Sequence, residues 1–545
     1  MRAATKLDWW DGLCVVALAA FGTLYALRFL SPVFHPHPSE DAAILMRYSQ
    51  HLAQGHGIVW NIGDKPVDGA TDFLFMVLIA GLARLGVAVE SGVRLATLLS
   101  HLATIVLVYL ATRKLHGASR FAGLVTAGYL AMGPAPRYIG SGFGTPFFAL
   151  SVCSTWWLAN SLAGGSASLG RSLAFASSGL VMGLIRPEGA LLAILMLLAV
   201  IYLRGLSRSR LALLCFVGTF ALAGGAYFLW RWHYFGYPLP NPYYKKGGGH
   251  LYPEGLMDAV SNTIQMSLPF SLAYLLGLRS RELTKRTIFS LIPVVGFTGL
   301  WLLLSNEMNY LGRFQYPIVP VILMSWPSLA QGLGSEWRLP RLQELAPRSR
   351  AVAALLVAVM LAGIGLYQKR RYGGVIYFYD GRCDVAHMLS DYASKQYTMA
   401  TTEAGLLPFY SGWRDLDTWG LNDPWIAHNG GVTEAYLESR KPEVIMFHAP
   451  FSPLVPPNGS SAWFHMVMVL YRFAQKHGYR LAAAFGETPF RTHYYYVRPD
   501  FPESEAIVSR IRTMDYTWYA NGKQAINYAT VTPAAGRKVM EAARP

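Results

Sequence analysis

The chain has 545 residues, 53% of them hydrophobic and only 14% charged, with a mean hydropathy of +0.28. Soluble domains carry about a quarter charged residues, so a wholly soluble protein is excluded and repeated membrane spans are expected. The net charge of +16 points to basic cytoplasmic loops rather than to nucleic acid, and the four cysteines, without CxxC or metal-ligand spacing, indicate neither a disulfide framework nor a zinc site.

In chain order, apolar segments fall at about 12–30, 73–88, 94–112, 121–138, 146–163, 172–185, 189–203, 211–230, 262–278, 287–304, 314–331 and 351–367. The first follows Arg2 and Lys6 without a small-residue cleavage site, which predicts an uncleaved span rather than a signal peptide. Four basic loops follow, around Arg113–Arg120, Arg204–Arg210, Arg279–Arg286 and Arg338–Arg350. Placing all four inside puts 31–72, 231–261 and 305–313 outside. Segment 73–88 is short and interrupted by Arg84, so it reads as a re-entrant or interfacial helix. About eleven transmembrane helices then remain, with the N-terminus inside and the C-terminus outside, although Lys369, Arg370 and Arg371 oppose that last assignment.

Beyond the last apolar run the character changes. The expected fold is a polytopic α-helical membrane module over 1–367, with a first extracytoplasmic loop at about 31–93, and a soluble extracytoplasmic α/β domain over 368–545. Strand-like runs lie at 397–401, 444–447 and 494–497, and a helix-like stretch at 462–477.

The first outer loop carries SEDAAILMRYSQHLAQGHGIVWNIGDKPVDGATDFLF at 39–75, with five carboxylates: Glu40, Asp41, Asp64, Asp68 and Asp72. Ser39 suits an N-cap, which places Glu40 and Asp41 in a first helical turn where the dipole favours ionised acid. Ile44, Leu45, Tyr48 and Leu52 share one side, with Arg47 and His51 at helical spacing. These acids suit a proton acceptor or cation holder, and equally suit a mere helix cap. The turn-rich stretch around Asp64 and Asp68 fits a polar pocket or a solvated connection, and Asp72 fits a cap for the next helix.

In LIRPEGALL (184–192), Arg186 and Glu188 lie between apolar runs, where lone charge costs a few kcal/mol; they pair, or they face a hydrophilic cavity. An arginine there suits a lipid phosphate. WRWHYFGYPLPNPYYKKGGGH (230–250) offers aromatics with Asn241, Tyr243, Lys245 and Lys246, and SNEMNYLGRFQYP (305–317) offers Glu307, Asn309 and Arg313. Basic outer loops that run against the positive-inside trend ask for an anionic ligand. No P-loop, dinucleotide fingerprint, HExxH or GxSxG is present.

Together these stretches resemble the GT-C glycosyltransferases, and within them the bacterial cell-wall arabinofuranosyltransferases that use decaprenyl-phosphate arabinose. The resemblance rests on EDAAILMRYSQHLAQGHGIVWNIGDKPVDGATDFLF, LIRPEG, YFGYPLPNPYYKK and TTEAGLLPFYSGWRDLDTWGLNDP (401–424). It departs at Glu40, where relatives pair two Asp; at Asp68, where they carry Glu; and at Gly144, where they commonly carry Glu.

The resemblance implies a membrane enzyme of the bacterial cytoplasmic membrane, with its active site outside. It would transfer a sugar, arabinofuranose favoured, from a polyprenyl-phosphate donor to an extracytoplasmic glycan or protein acceptor among the membrane lipids. It implies Asp41 as base with Glu40 as neighbour and fallback. Arg186, Lys245 and Arg313 meet the phosphate, with Lys246 second and Glu188 beside Arg186. Asn241, Tyr243 and Asn309 hold sugar hydroxyls, His51 orients the acceptor, and Asp68 belongs to the substrate-facing segment. Clustered acids also suit a divalent cation, but no ligand set is complete. A lipid-linked sugar flippase and an O-antigen polymerase or ligase stand as alternatives.

Overall fold

The computed structural model describes residues 7–31, 37–165, 168–246, 250–336, 346–373 and 379–532. Arg2, Lys6, Arg338 and Arg341 therefore lie outside the described residues. Six described helices are long and apolar enough to cross a membrane: Trp9–Leu30, Val89–Leu115, Pro187–Arg204, Leu206–Phe235, Tyr310–Ser335 and Pro347–Tyr372. Two apolar helices, Phe73–Arg84 and Leu169–Ile185, are shorter. Phe73–Arg84 has 12 residues, about 18 Å at 1.5 Å per residue, against a hydrocarbon core of about 30 Å.

Two expected segments are broken rather than continuous. Arg120–Ala131 and Ala135–Gly140 flank Gly133-Pro134, and Pro253–Ser267 and Leu272–Arg279 flank Pro269. Proline lacks the N–H that a continuous helix needs. The last long helix runs to Tyr372, so Lys369, Arg370 and Arg371 occupy its final turn, where the helix dipole favours cations. Helical packing buries one continuous core, in which Phe75, Trp156, Phe216, Phe297 and Leu323 take part.

The C-terminal region is a six-stranded sheet: β1 (Thr398–Thr401), β2 (Arg414–Asp417), β3 (Val444–Ala449), β4 (Arg480–Thr488), β5 (Arg491–Val497) and β6 (Ile526–Asn527). The order is β2-β1-β3-β5-β4-β6, parallel across β2-β1-β3 and antiparallel from β3 onward. Both faces are covered. Met399, Val444, Met446 and Tyr495 enter one core while Ala400, Ile445, Phe447 and Tyr494 enter the other. Such double burial produces continuous apolar runs, which is why these strands stand out in the sequence. The helix Ala462–Lys476 packs against β3. β2 is short and polar (RDLD) and carries no such signal.

Candidate active site

The structure explains the acidity of the 39–75 loop. Each of its five carboxylates faces an arginine from a different part of the chain. Asp41 Oδ2 stands 2.6 Å from Arg313 Nη2. Asp72 Oδ1 lies 3.1 Å from Arg186 Nη1, and Arg186 Nη2 also meets Glu188 Oε1 at 2.6 Å. Asp68 pairs with Arg231. Glu40 Oε2 lies 3.3 Å from Arg382 Nη1, and Asp64 Oδ1 lies 2.6 Å from Arg414 Nη2. Three of these arginines belong to the membrane module and two to the sheet domain. The loop is thus a polar weld between them.

Other groups complete the weld. Arg47 is buried and donates to the Trp60 carbonyl at 2.9 Å, the Trp413 carbonyl at 2.8 Å and the Pro408 carbonyl, and its guanidinium lies 4.8 Å from the Trp60 ring centre. Asn61 exchanges hydrogen bonds with the Asp415 backbone at 3.0 and 2.9 Å, satisfying the open edge of β2. Trp60 Nε1 donates to Asp415 Oδ2 at 3.1 Å and Tyr48 Oη to Asn422 Oδ1 at 3.1 Å. Glu40 accepts from the Leu406 N–H at 3.1 Å and from the Gly405 N–H. A Cβ at Gly405 would overlap the Glu40 carbonyl oxygen, so only glycine admits this approach.

Burial raises the Glu40 carboxyl to about 8 against the opposing pull of Arg382. It raises Asp68 to about 6 against Arg231, and Asp415, also repelled by Asp417, to about 8. An ion pair broken inside protein costs roughly 3–5 kcal/mol, whereas the exposed Asp64–Arg414 pair contributes about 0–1 kcal/mol.

Two cavities meet at Asp41. The smaller, about 420 Å³, is lined by Asp72, Arg186, Glu188, Tyr243 and Arg313 with apolar Leu191 and Trp301. The larger, about 760 Å³, lies between the loop and the sheet domain and is lined by Glu40, Trp419, Trp463, Glu403, His448 and Arg491. Asp41, Phe143 and Lys246 line both. The guanidiniums are held by aromatic faces: Arg313 lies 4.0 Å from the Phe143 centre, and Phe314 stands 4.9 Å from Arg313 and 5.4 Å from Arg186.

Local sequence sets these positions. Arg186 is extended (φ −141°, ψ 138°) between the helices Leu169–Ile185 and Pro187–Arg204, as a residue before proline must be. Glu188 occupies the first turn of the second helix. Arg313 follows a tight turn in which Met308, Leu311 and Gly312 all have positive φ. Asn309 holds that turn, donating to Asn306 Oδ1 at 2.8 Å and Gln315 Oε1 at 2.7 Å while its Oδ1 accepts from the Phe314 N–H at 3.1 Å.

The sequence-derived candidates therefore divide. Asp41, Arg186, Glu188, Arg313 and Tyr243 meet at the smaller cavity. Glu40 shares Asp41's helical turn but reaches into the sheet domain. Lys245 and Lys246 differ in their surroundings: Lys245 Nζ lies 4.4 Å from the Trp419 ring centre, and Lys246 lines both cavities with Nζ 3.8 Å from Glu307. Neighbours on a helix point about 100° apart, so only one faces the open space.

Asn241 donates to the Gly420 and Leu421 carbonyls at 2.9 and 3.0 Å, and Asn309 braces its own turn; both amides act on protein. His51 is buried, with Nδ1 3.0 Å from the Val59 carbonyl, and burial lowers it to about 4; a neutral ring there braces the loop. Asp68 likewise lies under Arg231. Ser39 begins the Glu40–Ala53 helix without a side-chain cap, and Asp72 turns to Arg186 rather than capping Phe73–Arg84. A Cβ at Gly144 would stand 2.9 Å from Asp72 Oδ2 and 2.7 Å from Phe75 Cδ1, so the Asp72 carboxylate occupies the space next to the position where the resembled family carries Glu.

Sequence reasoning did not single out Arg382, Glu403, His448 or Trp463, and noted Arg47 only for its helical spacing. Arg382 lies beyond the last apolar run and pairs at once with Glu40, Asp380 and Glu403. Burial opposes charge on Glu403, but Arg382 and a hydrogen bond from His448 prevail and hold it below the usual range.

A helical bundle with spans of membrane length, an acidic loop after the first span and a C-terminal sheet domain docked over that loop make up the fold. The same fold is found in ArnT from Cupriavidus metallidurans in the apo state, with a TM-score of 0.57 at 14% identity over 90% of this chain and 98% of that one. The same protein bound to undecaprenyl phosphate gives 0.55 at 13% over 89% and 98%. The Archaeoglobus fulgidus oligosaccharyltransferase, in complex with Zn and sulfate, gives 0.52 at 12% over 92% and 76%. The mycobacterial arabinofuranosyltransferase AftD gives 0.50 at 13% over 92% of this chain and 42% of that one. At these identities the fold is what is shared. Residues 370–506 match a family described as a domain of unknown function (DUF8728). No curated protein matches the sequence.

Proposed function

We propose that this protein is a membrane glycosyltransferase that moves a sugar from a polyprenyl-monophosphate donor to a hydroxyl of an extracytoplasmic glycan or glycoprotein. The observation that carries this reading is the position of Asp41, on the wall of both cavities and paired with Arg313. The smaller cavity takes the donor phosphate and the larger takes the acceptor. Fold likeness to an ArnT structure that contains undecaprenyl phosphate supports the donor class. Likeness to AftD, with the sequence resemblance, favours arabinofuranose. The reading includes about eleven spans, the division near residue 367, and an active site on the outer side of the bacterial cytoplasmic membrane.

In the transfer, Asp41 accepts the proton of the acceptor hydroxyl as its oxygen bonds the anomeric carbon. The bond from that carbon to the phosphate oxygen breaks, and Arg186, Arg313 and Lys246 meet the charge left on phosphate. Before donor binds, Arg313 is engaged by Asp41; a phosphate that takes over Arg313 frees the carboxylate to act as base.

The test is an assay with purified full-length protein in nanodiscs, polyprenyl-monophosphate arabinofuranose and an envelope glycan from a deletion strain. A new glycosidic product is expected. Product only from a diphosphate donor would point to a polymerase or ligase, and lipid translocation without bond formation to a flippase; either result overturns the proposal.

A further inference from the structure

Three metal-ligating side chains meet in the sheet domain, on a part of the larger cavity separate from the Asp41–Arg313 pair. His448 on β3 and His493 on β5 are direct cross-strand partners. Residues paired in that way project from the same face of a sheet, and the two rings stand perpendicular with centres 4.8 Å apart. Glu403 follows β1, the strand on the other side of β3, and its Oε1 lies 3.4 Å from His448 Nδ1. One ligand atom from each of the three lies within 4.8 Å of the other two.

The groups behind them are already arranged. His493 is fully buried; its Nδ1 lies 2.7 Å from Tyr516 Oη, which lies 3.1 Å from Tyr495 Oη. That leaves His493 Nε2 buried without a hydrogen-bond partner, a state that is unfavourable when nothing binds. Glu403 Oε2 accepts from Arg382 Nη1 at 2.8 Å, which turns Oε1 toward His448. Metal-binding imidazoles and carboxylates are characteristically held from behind in this manner.

We propose that Glu403, His448 and His493 bind a divalent transition-metal ion of the zinc class, with a further coordination position open to the larger cavity. Two imidazoles and one carboxylate select such an ion over calcium or magnesium, which prefer oxygen ligands. Three protein ligands with one open position is the form of sites that engage a substrate oxygen, whereas structural zinc sites are closed by four. Glu403 and His448 line the cavity that Asp41 also lines, so the open position addresses an oxygen of the molecule held there. The proposal stands apart from glycosyl transfer, because metal content is measured without any sugar donor.

The test uses full-length protein purified in detergent, stripped with chelator and dialysed against zinc or cobalt. Wild type is expected to retain about one zinc per chain by elemental analysis, and cobalt in its place to give the visible bands of a low-coordinate site. His448→Ala and His493→Ala each lose the equivalent. Tyr516→Phe keeps all three ligands and is expected to weaken zinc affinity by about tenfold or more, while His465→Ala, on an exposed helix face, retains full metal. Wild type holding no more zinc than a His448→Ala/His493→Ala variant, with both eluting as folded protein, overturns the site. Full retention of metal in both single variants does the same.

Discussion

Asp41 and Arg313 meet at 2.6 Å, yet 272 residues separate them in the chain. Asp41→Asn keeps the side-chain shape and removes the charge. It is expected to lower turnover by at least about 10²-fold while donor affinity, measured by binding of a polyprenyl phosphate, stays within about threefold. An equal loss of donor binding would reassign Asp41 to the phosphate site. The two adjacent lysines give a sharper contrast. Lys246→Ala is expected to raise the donor KM several-fold, and Lys245→Ala to change it little, because only Lys246 faces the open space. Equal effects of the two variants would contradict that placement. Asn241, Asn309 and His51 illustrate the converse case: residues of binding type in the right loops, whose polar atoms are engaged by protein.

At the scale of elements, the 39–75 stretch joins the helical bundle to the sheet domain. Its buried acids respond to pH in a defined sense. Glu40 is raised in the folded state to about 8 from 4.5, so its contribution to stability is fully present below about pH 4.5 and is lost as pH rises through 8. Asp415 and Asp68, also raised, act with the same sign. Wild-type Tm is therefore expected to fall more between pH 5 and pH 8 than that of Glu40→Gln, which carries no charge to bury. Parallel Tm profiles for the two proteins would refute the assignment. The long amphipathic and apolar elements were legible from periodicity alone, as with Ala462–Lys476 and β3. The short polar β2 was not, because its pairing with β1 and the Asn61 amide, rather than its own residues, makes it a strand.

At the scale of the whole molecule, the proposed function assigns donor and acceptor to separate cavities. Trp463 and Trp419 stand with ring centres 5.3 Å apart on the acceptor side, while Trp413 is buried in the sheet core and Trp425 stacks on Tyr436. Trp463→Ala is expected to raise the acceptor KM several-fold without changing donor affinity, and a change confined to donor affinity would exchange the two cavities. This division crosses the boundary between membrane module and sheet domain.

The sequence by itself determined the polytopic helical class, the separate α/β domain, and the identity of the acidic loop and LIRPEG as the places where charge near a membrane requires a partner. Hydropathy and periodicity are local properties, and the cost of a lone charge in an apolar setting is local too. Which partner each charge takes is not local. Glu40 went to Arg382, Asp41 to Arg313, Asp64 to Arg414, Asp68 to Arg231 and Asp72 to Arg186 only because the fold brought distant segments within a few ångströms, where Coulomb energy and hydrogen-bond geometry discriminate between otherwise equivalent carboxylates.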